Sequence, residues 1–200
     1  MMANTYWNPS VETMGHDKRR EMQGEKLARQ LRYVLEKSPF YRRKFAEAGF
    51  DASRVEKVGD LSRAPFTHKE ELRQSQAESP PLGGHAATDM REVVRIHSST
   101  GTTGKPSYVG ITRRDRDAWM ESVSRVYYCE GLRPEDVLIH GFGLGFFVGG
   151  LPLKDAVENI GTAFVPIGAG ASHQLVTSIR NLGGTVLSIS KLTMDLHGSQ

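Results

Sequence analysis

The 200-residue chain holds a single cysteine, Cys129, so it cannot close an internal disulfide, and covalent stapling is excluded as a source of stability. Its apolar runs are short, and none approaches the ~18 residues that a membrane-spanning helix requires. The first residues, MMANTYWNPSVETMGHDKRR, lack the apolar stretch of a secretory leader. Excess charge of one sign is also scarce. The 26 Lys and Arg stand against 23 Asp and Glu for a net charge of +3, too small to argue for nucleic acid or an anionic membrane surface. Seven histidines, at 16, 68, 85, 97, 140, 173 and 197, show neither H-x₃-H nor H-E-x-x-H spacing. With no second cysteine to help them, a zinc site is unsupported. The expectation is a cytoplasmic protein with no nucleic-acid partner, no membrane partner and no side-chain metal site.

What the chain does have is glycine, 21 residues of it, gathered in clusters that indicate loops shaped by backbone. Charge is concentrated at the other end. Residues 1–75 carry 15 basic and 11 acidic groups, whereas the remaining 125 carry 11 and 12. This contrast predicts a polar helical segment over 1–75 and a linker over 76–90, which contains Ser79-Pro80-Pro81 and Gly83-Gly84. A more buried α/β part follows over 91–189, with an atypical tail at 190–200.

Leu27, Leu31, Val34 and Leu35 share one helical face, which predicts an amphipathic helix from about Asp17 to Lys37. Ser38-Pro39 ends it. Phe40 to Ala48 reads as a second helix stopped by Gly49. Thr67-His68-Lys69-Glu70 has the form of a capping box for a third helix at about 68–75.

From residue 91 the pattern alternates. Strands are expected at 93–96, 108–111, 137–139, 162–166 and 185–189. Helices are expected at 113–130, opened by Thr112-Arg113-Arg114-Asp115, at 151–160, and from a Ser172 cap to Gly183. The expected fold class is α/β: an N-terminal helical segment, then a partial, mostly parallel sheet flanked by helices. Ligands of such sheets bind at loops leaving the carboxyl ends of strands. The glycine loops after Ile96, Ile139 and Pro166 therefore become candidates for one shared site.

The loop Ser98-Ser99-Thr100-Gly101-Thr102-Thr103-Gly104-Lys105-Pro106 combines two glycines, five hydroxyls and a lysine. Glycines let the backbone turn its N–H groups toward an anion, hydroxyls donate to phosphate oxygens, and Lys105 adds positive charge. A plain Ser/Thr/Gly turn seldom needs all three. It is not a Walker A loop, because the spacing differs and Pro106 stands where a magnesium-binding hydroxyl would be. The second segment, His140 to Gly150, does not read G-x-G-x-x-G. Its glycines and Phe142, Phe146 and Phe147 make either an apolar ligand wall or a tight helix entry whose rings join the core. Gly168 to Ser172 reads as an anion-receiving helix start or, more commonly, a serine-capped turn. His97 and His140 each end an expected strand, where a hydrogen-bonded structural role is the simpler reading. Cys129 reads as a semi-buried thiol, and Arg113 to Asp117 as a solvated face.

The loop at 98–106 resembles the phosphate loop of the AMP-forming acyl- and aryl-CoA ligases, with Thr100 where serine is usual. Further segments narrow the resemblance to the phenylacetate-CoA ligase family. They are Ser38-Pro39-Phe40-Tyr41-Arg42-Arg43-Lys44-Phe45, then Leu61, then Pro65-Phe66-Thr67-His68-Lys69-Glu70-Glu71-Leu72-Arg73, the glycine-aromatic segment 141–150 and the loop 166–170. They occur in the family's order over about residues 18–188.

The resemblance implies a truncated adenylate-forming fold and a two-step reaction on an aryl or acyl carboxylate. ATP, Mg²⁺ and coenzyme A would be required. Ser98, Ser99, Thr100, Gly101, Thr102, Thr103, Gly104 and Lys105 would bind the nucleotide, with Thr102, Thr103 and Lys105 acting in catalysis. Phe142, Gly143, Phe146 and Phe147 would line the acyl pocket. Family members run much longer than this chain. The adenine- and ribose-holding segments and the C-terminal lysine domain have no counterpart here, and KLTMDLHGSQ is unlike the family. The expectation is an N-terminal portion, incomplete alone, with a C-terminal partner chain as one way to complete it. A non-catalytic binding module and a truncated gene product remain alternatives.

Overall fold

The computed structural model describes residues 5–99, 106–145 and 148–189. They fall into two compact units: Asn8–Asp115, and Arg116 onward joined by the N-terminal residues up to Trp7.

The first unit is helical with one hairpin. A single short turn of helix, α1 (Pro9–Glu12), precedes the long α2 (His16–Lys37) and then α3 (Pro39–Glu47). Ser38 joins α2 to α3 and is fully buried. Its hydroxyl accepts from the Tyr41 amide at 3.3 Å and donates to the Gly84 carbonyl at 2.9 Å, so one side chain both caps α3 and fastens a distant loop. Leu31, Phe45, Ala52 and Val55 form the buried cluster, backed by Leu27, Leu35, Tyr41 and Phe50. These include three of the apolar positions expected on the α2 face.

Helix α4 (Lys69–Glu78) starts one residue later than its capping box predicts. The N-cap is His68, whose amide donates to the Glu71 carboxylate at 2.7 Å. Glu71 also pairs with Lys44 of α3, and this tertiary contact selects Glu71 over Glu70 as the reciprocal cap.

Strands β1 (Val93–Ser99) and β2 (Ser107–Thr112) pair with each other antiparallel, Ile96 opposite Gly110 and Ser99 opposite Ser107. The expectation that the strand before the 98–106 loop joins a parallel sheet is corrected on this point. Seven residues separate β1 from β2, too few for the crossover that parallel neighbours need. Leu82 is buried beneath the hairpin. A Cβ at Gly110 would stand 2.6 Å from its Cδ1, so only glycine fits there without repacking.

The second unit is a parallel three-stranded sheet between helices. The element order is α5 (Arg113–Cys129), β3 (Val137–His140), α6 (Gly150–Ile160), β4 (Ala163–Pro166), α7 (Ser172–Leu182) and β5 (Val186–Ser188). Thr112 and Asp115 cap the start of α5 reciprocally. The Thr112 amide reaches the Asp115 carboxylate at 2.9 Å and the Asp115 amide reaches the Thr112 hydroxyl at 3.2 Å, as the T-x-x-D pattern predicts. Ser172 is the first residue of α7, and the N-cap is Ala171 with no side-chain hydrogen bond, so the expected serine cap is absent.

Sheet order is β4-β3-β5, all parallel. Leu138, Ile139 and His140 on the central strand have no exposed surface, because both sheet faces are covered. Leu138 packs with Leu153, Val157 and Ile160 of α6 and with Tyr128 and Leu132. Leu153, Ala156, Val157 and Ile160 recur at helical spacing along the buried side of α6. Trp7 closes this core, its indole nitrogen donating to Glu121 at 2.8 Å.

Candidate functional site

Order β4-β3-β5 means that the chain winds from β3 outward to β4, then returns past β3 to reach β5. Right-handed crossovers of opposite direction put their helices on opposite faces. The packing agrees. Leu138 lies among α6 residues, whereas a Cβ at Gly184, the residue after the α7 turn, would meet both Ile139 and Ile179. Loops leaving β3 and β4 therefore diverge, which is the condition for a ligand crevice at the carboxyl edge of an open sheet.

Residues 140–145 and 166–171 form that edge. The His140 carbonyl accepts from the amides of Ile167, at 3.0 Å, and Gly168, at 3.1 Å, tying the loop after β4 to the end of β3. The Gly141 amide donates to the Ser188 carbonyl at 2.9 Å. A Cβ at Gly141 would come within 2.6 Å of Leu175 and 2.9 Å of Ile189, so the tight turn out of β3 requires glycine. By contrast, a Cβ at Gly143 or Gly145 would meet nothing within 4 Å.

Of the residues expected to line an acyl pocket, Phe142 and Gly143 occupy this edge. Phe142 is half-buried and packs against the core cluster, as the reading of a ring that joins the core expects. Gly143 is exposed. Phe146 and Phe147 lie outside the described residues.

His140 ends β3 at this edge. Its imidazole is fully buried and lies between two aromatic rings, with centroids 4.0 Å from Phe142 and 5.1 Å from Phe164. Neither ring nitrogen makes a hydrogen bond of full geometry among the described residues, though the Phe142 backbone stands within its reach. Burial pushes the imidazole below its ordinary acidity range, partly offset by the nearby Phe142 backbone.

The hydroxyl-rich loop belongs to the first unit. Ser98 and Ser99 are the last residues of β1, and the Ser98 hydroxyl donates to the Ser99 carbonyl at 3.2 Å. The Ser99 hydroxyl is buried and has no hydrogen-bond partner among the described residues. Thr100, Gly101, Thr102, Thr103, Gly104 and Lys105 lie outside the described residues. Two cavities are found among the described residues. One of about 350 Å³ surrounds the Lys44–Glu71 pair, and one of about 390 Å³ flanks β5 between Tyr127, Asp136 and Ile189. No group of three or more His, Cys, Asp or Glu among the described residues could hold a metal. Nor is any described helix long and apolar enough to cross a membrane.

The parallel sheet with glycine loops at its carboxyl edge places this part of the chain among α/β folds. Comparison with known proteins makes this specific. The chain is homologous to the phenylacetate-coenzyme A ligases. It is 39% identical to that of Thermus thermophilus over 182 residues, which is 91% of this chain and 40% of the relative. It is 34% identical to that of Escherichia coli over 190 residues, covering 95% of this chain and 42% of the relative. The fold matches crystal structures of 2-hydroxyisobutyryl-CoA ligase. One, in complex with 2-HIB-AMP and CoA in the thioesterification state, matches with a TM-score of 0.87 at 31% identity, covering 94% of this chain and 40% of that one. Another, in the postadenylation state with 2-HIB-AMP, matches with a TM-score of 0.86 at 30% identity, over 94% and 40%. No protein-family model matches the chain. The chain thus spans about two-fifths of the length of the relatives it matches.

Proposed function

We propose that this chain supplies the phosphate-loop and acyl-binding part of an AMP-forming acyl-CoA ligase in the cytoplasm, acting on an aryl or acyl carboxylate such as those of aromatic-acid catabolism. The match to ligase structures holding an acyl-adenylate and CoA carries this reading. The sequence of the 98–106 loop supports it, as does the buried Ser99 hydroxyl, without a hydrogen-bond partner among the described residues, at the point where that loop begins.

In the proposed reaction, a carboxylate oxygen attacks the α-phosphorus of ATP and pyrophosphate leaves. The thiol sulfur of coenzyme A then attacks the acyl carbon, and AMP leaves. Charge spread over the polyphosphate calls for fixed donors and a cation. In this proposal Ser98, Ser99, Thr100, Gly101, Thr102, Thr103, Gly104 and Lys105 provide them, with Thr102, Thr103 and Lys105 acting in catalysis. Mg²⁺, where bound, would share the charge of the phosphates, its usual mode with nucleotides. Phe142, Gly143, Phe146 and Phe147 form the acyl wall.

Completion of the site requires the part of the relatives that this chain does not span. Strand β5 is an edge among the described residues, with Leu187 41% exposed and a cavity beside it, and an open edge is a surface on which a further segment can pair. The test is carboxylate-dependent ATP–pyrophosphate exchange. The isolated chain is expected to show none, addition of a complementing C-terminal chain to restore it, and Lys105→Ala to weaken the restored activity. Robust exchange by the isolated chain would overturn the incompleteness, and no exchange with any complement would overturn the ligase reading.

A further inference from the structure

A strand at the rim of a sheet presents unpaired backbone groups, and proteins blunt such rims with lysine, proline, a bulge or a covering segment. Strand β5 is short, but among the described residues it carries no other device of this kind. It pairs with β3 on one side, and no described strand lies on the other. Thr185, Val186, Leu187, Ser188 and Ile189 include neither a charge nor a proline. The cavity that flanks the strand is lined in part by Tyr127, Leu132, Leu138 and Val186.

The opposite face of β5 is bare as well. Helix α7 rests on β3, with Leu175 against Gly141 and Ile179 against Gly184 beside Ile139, and none of its residues is buried. Leu187 is paired with Ile139 and so points to the same face. Ile139 has no exposed surface there, whereas Leu187 is 41% exposed. Val176 and Leu182 of α7 are also exposed. At 100° per residue they fall on opposite flanks of the Leu175–Ile179 stripe, so either flank of α7 offers an apolar side chain.

We infer that β5 is a self-association edge, and that its occupant is β5 of a second copy of this chain, antiparallel about a two-fold axis. A strand edge is complementary to itself under that rotation, because its donors then meet its own acceptors. With the axis at Leu187, Val186 of each copy stands opposite Ser188 of the other, and no like charges are opposed. A two-fold axis normal to the sheet preserves its faces, so the two α7 helices come to lie side by side. The two β3 strands are then three strand spacings apart, about 14 Å. Helices measure about 10–12 Å across, which leaves room for one layer of side chains above the paired Leu187 residues. The contact is small, so the dimer is weak and reversible. The edge is the one on which the complementing segment would pair, and the second copy holds it in that segment's absence.

Sedimentation velocity of the full 200-residue chain across a range of concentrations is expected to show a reversible monomer–dimer equilibrium. Leu187→Lys sets two ammonium groups against each other across the axis and should weaken the dimer about tenfold or more. Val58→Lys, at a comparably exposed apolar residue of the first unit, should leave it unchanged. Should Leu187→Lys fail to fold, hydrogen exchange of the unmodified chain decides the matter: amides within residues 185–189 are expected to slow as concentration rises. A chain that stays monomeric, assembly that runs past the dimer, a dimer indifferent to Leu187→Lys, equal weakening by both substitutions, or exchange indifferent to concentration would each overturn the inference. None of these outcomes bears on ATP–pyrophosphate exchange in the complemented protein, so the ligase reading stands or falls separately.

Discussion

A Cβ on Gly150 would stand 2.8 Å from the Cα of Leu144. The start of α6 is thus pressed directly against the glycine-rich loop that leaves β3. The Gly143 carbonyl lies equally close, at 2.8 Å, and both obstacles are backbone, which cannot swing aside as a side chain would. Gly150→Ala is expected to lower stability by about 1–3 kcal/mol and to displace the loop carrying Phe142. Thermal denaturation measures the first effect and near-ultraviolet dichroism of the aromatics the second. An alanine variant with unchanged melting would show that the loop yields freely.

The central strand should be far less tolerant than the edge. Leu138 is fully buried among Tyr128, Leu132, Leu153, Val157 and Ile160. Leu138→Ala is expected to cost about 2–5 kcal/mol, combining lost burial with a cavity. Leu187 is 41% exposed on β5, and Leu187→Ala should cost about 1 kcal/mol or less. Urea unfolding of the two variants provides the comparison, and equal losses would contradict the assigned sheet order.

Glu71 predicts a pH dependence. The His68 amide, and then the Lys44 ammonium, hold its carboxyl below the usual glutamate value. A depressed acidity constant in the folded state means that the stabilisation is present above the ordinary glutamate range and is lost as pH falls through the folded value. Glu71→Gln should therefore lower the melting temperature near neutrality and converge with the unmodified chain only as pH falls below the ordinary glutamate range and through the lowered value. A constant gap across that range would separate the effect from ionisation.

Gly161 ends α6 in the left-handed region at φ 96°, its amide donating to Glu158 at 3.0 Å while the Thr162 amide reaches Val157 at 3.2 Å. This double bond pattern satisfies the last carbonyls of the helix. Gly161→Ala should cost about 1 kcal/mol through backbone conformation alone, visible as a shift of the urea midpoint with an unchanged slope. A change of slope would mean that more than the cap had altered.

Much of the local structure was legible in the residue order. The apolar spacing of α2, the Thr112–Asp115 box at α5 and the recurrence of Leu153, Ala156, Val157 and Ile160 along α6 are properties of neighbours on one helix, readable without knowing what they pack against. Boundaries slipped where a distant residue decided them. Lys44 drew Glu71 into the cap of α4, and α7 began at Ser172 without using its hydroxyl. Strand partnership was not legible for a related reason. An apolar run of four residues carries no information on which other run it will meet, so β1 and β2 were expected in the parallel sheet that they do not join.

The same division holds for the site. Local chemistry in the sequence determined the hydroxyls and Lys105 of the 98–106 loop and the glycines beside Phe142, because hydroxyl, ammonium and backbone freedom belong to the residues themselves. The glycine surplus and the lone cysteine were likewise properties of composition. Only the tertiary structure decided that β3 lies between β4 and β5, that loops diverge at its end, and that His140 sits there buried between two phenylalanines. Burial and hydrogen-bond partnership are relations between residues far apart in the chain, and they exist only once the sheet has brought those residues together.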